Sequence, residues 1–210
     1  MQQAVKMATI QERIDYGPTI AKLLAGAPLN ELGPSEAVAG ARKQLEMIEV
    51  ALDDGLAPRK VIDRSMAQAC MAGLWLRFDY LNRSHEISQE LHNSTGSFWH
   101  GIMHRREPDY GNAKYWFHRV PRHEVFSSLC KSAREIVNEV AANNSPPPAR
   151  FLAMQEQWDP FRFVDLVSAA AGGNSQSLVE LCRNIQQREW ELLFDFCFRR
   201  AVGLEIAADA

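Results

Sequence analysis

The stretch VIDRSMAQACMAGLWLRFDY, residues 61–80, decides the fold class. Met66, Cys70, Met71, Leu74, Trp75, Leu76 and Phe78 fall around nearly the whole circumference of a helix, and a helix that is apolar on all sides belongs in the middle of a domain. Pro58 suits its start, where a missing amide proton costs nothing. A second element of this kind spans residues 175–202, with Leu178, Leu181, Ile185, Trp190, Leu193, Phe194, Cys197, Phe198 and Val202.

Two central helices need others around them. Ser35 is placed to cap a peripheral amphipathic helix reaching about Leu52, with Val38, Leu45, Ile48 and Leu52 on one stripe and Asp53-Asp54-Gly55 as its exit. Further helices are expected over residues 9–16, 19–24, 124–142 and 159–171, bounded by Gly-Pro pairs, the proline run 146–148 and Gly172-Gly173-Asn174. Strand signals are weak throughout. The sequence therefore predicts an all-α fold: a single-domain irregular helical bundle over residues 1–210, with residues 1–34 as a loosely attached N-terminal extension.

Composition narrows the function classes. The 210 residues and 23.7 kDa suit one core, and 46% hydrophobic with 23% charged residues is ordinary for a globular chain. A net charge of -3 and a pI near 6.1 give no overall attraction to nucleic acid or to an anionic membrane. The N-terminal residues lack the apolar core of a secretion signal and no run is long enough to span a bilayer, so the expected compartment is the cytoplasm. Cys70, Cys130, Cys182 and Cys197 form no C-x-x-C pair, which speaks against a cysteine-only zinc site and a disulfide framework. There is no G-x-S-x-G, no phosphate-binding loop and no G-x-G-x-x-G.

One segment departs from this average. Between Ser97 and His123 stand four of the six histidines and six of the nineteen aromatic residues, with Arg105, Arg106, Lys114, Arg119 and Arg122 against Glu107 and Asp109. A helix starting at Thr95 or Ser97 sets His100 and His104 one turn apart on one face, the spacing at which two imidazoles reach one divalent metal ion. Glu107 lies three residues further on, although Pro108 disfavours helical geometry there and weakens it as a third ligand. On the same wheel Phe98, Trp99, Ile102 and Met103 form an apolar arc with the two histidines about opposite its centre, exposed or hydrogen-bonded. Arg105 and Arg106 fall near the apolar side, where burial demands carboxylate partners; Asp79, Asp159, Asp165, Glu189 and Asp195 are available. Beyond Pro108, Asn112 is placed to cap a second short helix over residues 113–120, carrying Lys114, Tyr115, Trp116, Phe117 and His118. His85 and His92 are placed to approach the same region from the end of the central helix.

Two readings follow. In one, the chain binds a small-molecule or anionic ligand, as an enzyme or a carrier: His100, His104 and Glu107 are candidate catalytic groups, His100 and His104 candidate ligands of a divalent metal, and Arg105, Arg106, Asn112, Lys114 and Tyr115 hold the ligand. In the other, the chain is a non-catalytic interaction or scaffold protein, and the same residues form a buried ion-pair network.

The residues GSFWHGIMHRREPD at 96–109 and NAKYWF at 112–117, with CMAGLWL at 70–76 and SHEISQ at 84–89, resemble the signature of an uncharacterised family of bacterial proteins with fungal relatives. The resemblance covers mainly residues 70–126 and implies no catalytic role for any of them.

Overall fold

The computed structural model describes residues 14–52, 59–141 and 147–205, the side chains of residues 140, 141 and 147 excepted. Through them run ten α-helices: α1 (Pro18–Ala25), α2 (Ala39–Val50), α3 (Arg64–Arg77), α4 (Leu81–Glu90), α5 (Ser94–Arg106), α6 (Tyr110–His118), α7 (Val125–Ala141), α8 (Arg150–Met154), α9 (Pro160–Gly172) and α10 (Gln176–Val202). A 3-10 turn, Pro147–Ala149, precedes α8, and the described residues form no sheet. The fold is all-α, and none of these helices is long and apolar enough to cross a membrane.

The two apolar helices pack against each other at the centre as α3 and α10. Asp63 caps α3 by accepting from the Met66 amide at 3.0 Å. Ser175 caps α10, accepting from Leu178 N at 3.3 Å, and Gly203 ends it in the left-handed conformation at φ 71°. At Gly73 a third helix joins them. The Trp190 indole of α10 donates to the Gly73 carbonyl at 2.8 Å, and a Cβ on Gly73 would lie 2.7 Å from the Trp99 ring of α5. Only a residue without a side chain lets α5 come this close.

α5 is buried along its whole length from Thr95 to Arg106, so of the two alternatives for His100 and His104 it is the hydrogen-bonded one that the structure has. The cause is α4, which covers that face. Its sequence LNRSHEISQE carries only two apolar residues, Leu81 and Ile87, both packed against the core. Small side chains complete its buried face: Ser84 and Ser88, one turn apart, are fully buried, and Ser84 Oγ donates to the Ala72 carbonyl of α3 at 2.9 Å. Helices approach closely where their facing residues are small.

The N-terminal region needs several corrections. Residues 14–34 are tied into the core rather than loosely attached, with Ile14, Tyr16, Ile20, Leu23, Leu24 and Leu32 buried. Residues 14–16 are not helical, and the rest of the helix expected over 9–16 lies outside the described residues. Three arginines bind the strap that follows α1: Arg77 Nη1 donates to the Pro28 carbonyl and to Asn30 Oδ1, Arg183 Nη2 to Leu29 O at 2.9 Å, and Arg106 Nε to Gly33 O at 3.2 Å. Ser35 caps no helix; its hydroxyl donates to Asp79 Oδ2 at 2.8 Å, and α2 begins later. Asp53-Asp54-Gly55 and Pro58 lie outside the described residues, and α3 starts at Arg64.

His123, at the far end of the polar segment, packs against Phe98, Phe126 and Phe196. Its Nδ1 accepts from Val125 N at 3.3 Å and its Nε2 lies 3.2 Å from Thr95 Oγ1, an arrangement that requires the neutral ring. Burial pushes its pKa down to about 4, with Glu124 pulling the other way. The unfolded chain then binds a proton that the folded one refuses. Stability is fully present above the ordinary histidine value of about 6.5 and is lost as pH falls toward 4. Urea midpoints measured at pH 7.5 and pH 4.5 are expected to differ less in His123→Phe than in the wild-type protein.

Candidate metal centre

Asn93 caps α5 by accepting from the Gly96 amide at 2.8 Å, and this sets the register that aims His100 and His104 at α4. Their Nε2 atoms meet at 3.1 Å, and both side chains are buried. His85, half-buried on α4, closes the group: its ring lies edge-on to His100 at 4.6 Å and to His104 at 5.3 Å between centroids. One ligating nitrogen from each of the three histidines falls within 4.8 Å of the others.

α6 supplies the lid of this group. Gly101 has no Cβ to obstruct it, since one would stand 3.0 Å from the Phe117 ring. With Phe117 seated there, its neighbour Trp116 stacks on His100 at 3.9 Å and 14°, and Arg119 lies over the indole at 5.2 Å.

Two neutral Nε2 atoms 3.1 Å apart cannot both present lone pairs to each other. Either a proton sits between them or a cation does. Burial, with His104 and His85 beside it, pushes the His100 pKa down to about 3, and burial likewise lowers His104 against the pull of Glu107. Both rings are therefore neutral at pH 7, the form in which imidazole binds metals. The Nδ1 atoms of both are buried without a well-formed hydrogen bond.

Several residues singled out in the sequence serve elsewhere. Arg105 and Arg106 are shut inside the bundle and are removed from any ligand-binding set. Arg105 donates through both terminal nitrogens to Glu189, whose side chain is as fully buried as its own, and its guanidinium lies over Phe163 at 4.7 Å. Arg106 pairs with Asp79, which also accepts from Asn30 Nδ2 at 2.9 Å and sits at φ 63°. That left-handed backbone is one that aspartate tolerates better than most residues. Lys114 pairs with Asp165, and the exposed Tyr115 hydroxyl accepts from Arg119 at 3.0 Å. Asn112 does not cap α6. Asp109 does, accepting from Asn112 N at 3.1 Å, because the helix starts at Tyr110 rather than at the expected residue 113. His92 is exposed and stands apart from the histidine group.

Glu107, weighed as a third ligand or a catalytic group, stands behind His104. Its Oε2 is 3.4 Å from His104 Nδ1, the nitrogen turned away from His100. The third imidazole is His85. Comparisons with protein-family models, with curated proteins and with solved structures found no match.

Proposed function

We propose that this protein binds a divalent transition metal, of the zinc class, through His85, His100 and His104, leaving one coordination position for water or a small ligand. The observation that carries the reading is the convergence of three imidazoles from two packed helices, with two of their nitrogens 3.1 Å apart. Two nitrogens at about 2.0–2.1 Å from a tetrahedral zinc stand about 3.3 Å apart, so His100 and His104 need almost no movement to share an ion. The His85 nitrogen, within 4.8 Å of the other two, is the third donor and has to move closer on metal binding. An all-imidazole donor set suits zinc, copper, nickel or cobalt and fails magnesium and calcium, which take oxygen ligands.

Three histidines with a free fourth position describe a catalytic type of zinc site rather than a closed structural one. The same open position accepts a small molecule or anion directly on the metal. This is where a ligand belongs if Arg105 and Arg106 are committed to the core. Titration of metal-free protein with Zn²⁺ is expected to saturate at one ion per chain, with no binding of Mg²⁺. Absence of Zn²⁺ binding would leave His100 and His104 as a hydrogen-bonded pair within α5, with the His85 ring packed against it from α4.

A further inference from the structure

A metal-bound imidazole must carry its remaining proton on the other ring nitrogen, and the partner of that N–H fixes both the tautomer and the ring orientation. At His104 the nitrogen facing His100 is Nε2, so the one that must keep the proton is Nδ1. Two carboxylates stand near it: Glu107 Oε2 at 3.4 Å and Asp109 Oδ2 at 4.0 Å.

They are not equivalent. The Asp109 side chain is committed to capping α6, where it accepts from Asn112 N at 3.1 Å and from Asn112 Nδ2 at 2.7 Å. These two donors hold its carboxyl below the usual aspartate range. Glu107 forms no other side-chain hydrogen bond among the described residues. Its position follows from the helix end. The Glu107 amide still closes the last turn of α5 on Met103 O at 3.0 Å, which brings its side chain back over His104 one turn before. A distance of 3.4 Å is long for a hydrogen bond, and such contacts in metal-free or ligand-free sites tighten once the donor is polarised.

We infer that Glu107 is a positioning residue: its carboxylate accepts from His104 Nδ1–H and so presents Nε2 to the metal. The inference rests on the metal reading for its effect on affinity, but the tautomer it imposes on His104 exists without metal. It recasts Glu107 from a group acting on substrate to one acting through the imidazole, and it gives the exposed rim of the site a role in metal retention.

Two measurements on the full chain test it. Long-range ¹H–¹⁵N spectra of the metal-free protein are expected to show His104 as the Nδ1–H tautomer, and Glu107→Ala to lose that preference. Zn²⁺ titration of Glu107→Ala is expected to give about 10–100-fold weaker binding, with Glu107→Gln, which keeps an acceptor oxygen without the charge, falling between. The metal-free melting temperature should stay at the wild-type value, since Glu107 lies at an exposed helix end. An unchanged His104 tautomer in Glu107→Ala overturns the inference, as does unchanged affinity where the wild-type chain binds zinc. If the wild-type chain binds no zinc, the metal reading fails separately and the tautomer spectra alone decide the role of Glu107.

Discussion

Arg105→Ala is expected to lower the unfolding free energy by about 3–5 kcal/mol, because it strands the Glu189 carboxylate in the interior of the bundle. Both side chains are fully buried, and the guanidinium that the change removes supplies both hydrogen bonds to the carboxylate. The effect should not be read as the net worth of the pair. Two charges taken out of water are expensive, and their mutual attraction roughly offsets that cost. Arg105→Met combined with Glu189→Leu is therefore expected to be far less destabilised than either single change, and equilibrium urea unfolding of the four proteins measures the difference. A double variant as unstable as the single ones would mean that the pair holds α5 against α10 in a way that hydrophobic packing cannot replace.

His100→Ala carries the second large effect, on the coupling of metal to stability. A ligand that binds only the folded chain stabilises it by about 4.1 kcal/mol at a thousand times its dissociation constant, roughly 8–16 °C in melting temperature for a chain of this size. The wild-type protein is expected to show this rise with Zn²⁺ and His100→Ala to show none. The variant removes a central nitrogen ligand and leaves a cavity beside Trp116, so its metal-free melting temperature should also fall, by several degrees. A full zinc-dependent rise in the variant would place the ion elsewhere.

The parts of this fold legible in the sequence are those written as helical periodicity. The helices corresponding to α3, α7, α9 and α10 stand close to where their apolar spacing, caps and proline or glycine ends put them. α4 is not legible as a helix, because it carries only two apolar residues, Leu81 and Ile87, and completes its buried face with Ser84 and Ser88, which leave no apolar signal. That omission governed the site. Without α4, the spacing along α5 offers Glu107 as a third ligand already weakened by Pro108, and leaves His100 and His104 either exposed or hydrogen-bonded. With α4 in place, His85 is the third imidazole. Its signal in the sequence was the SHEISQ stretch, visible but with nothing to say which face it joined. The burial of Arg105 and Arg106 was legible as a demand for carboxylates, although only the three-dimensional structure selects Glu189 and Asp79 from the acidic residues available. The attachment of the strap at residues 27–34 is not legible, because it is bound by arginines reaching backbone carbonyls, a bonding pattern that a Gly- and Pro-containing stretch does not announce.

The deciding measurement is a Zn²⁺ titration of His85→Ala beside the wild-type chain. His85 lies on a different helix from the other two histidines, so it reports on their convergence in space rather than on the local spacing of His100 and His104. One zinc ion per wild-type chain, with binding lost or severely weakened in His85→Ala, is the expected result. Zinc bound equally well by both proteins, or by neither, would contradict a three-histidine metal centre between α4 and α5.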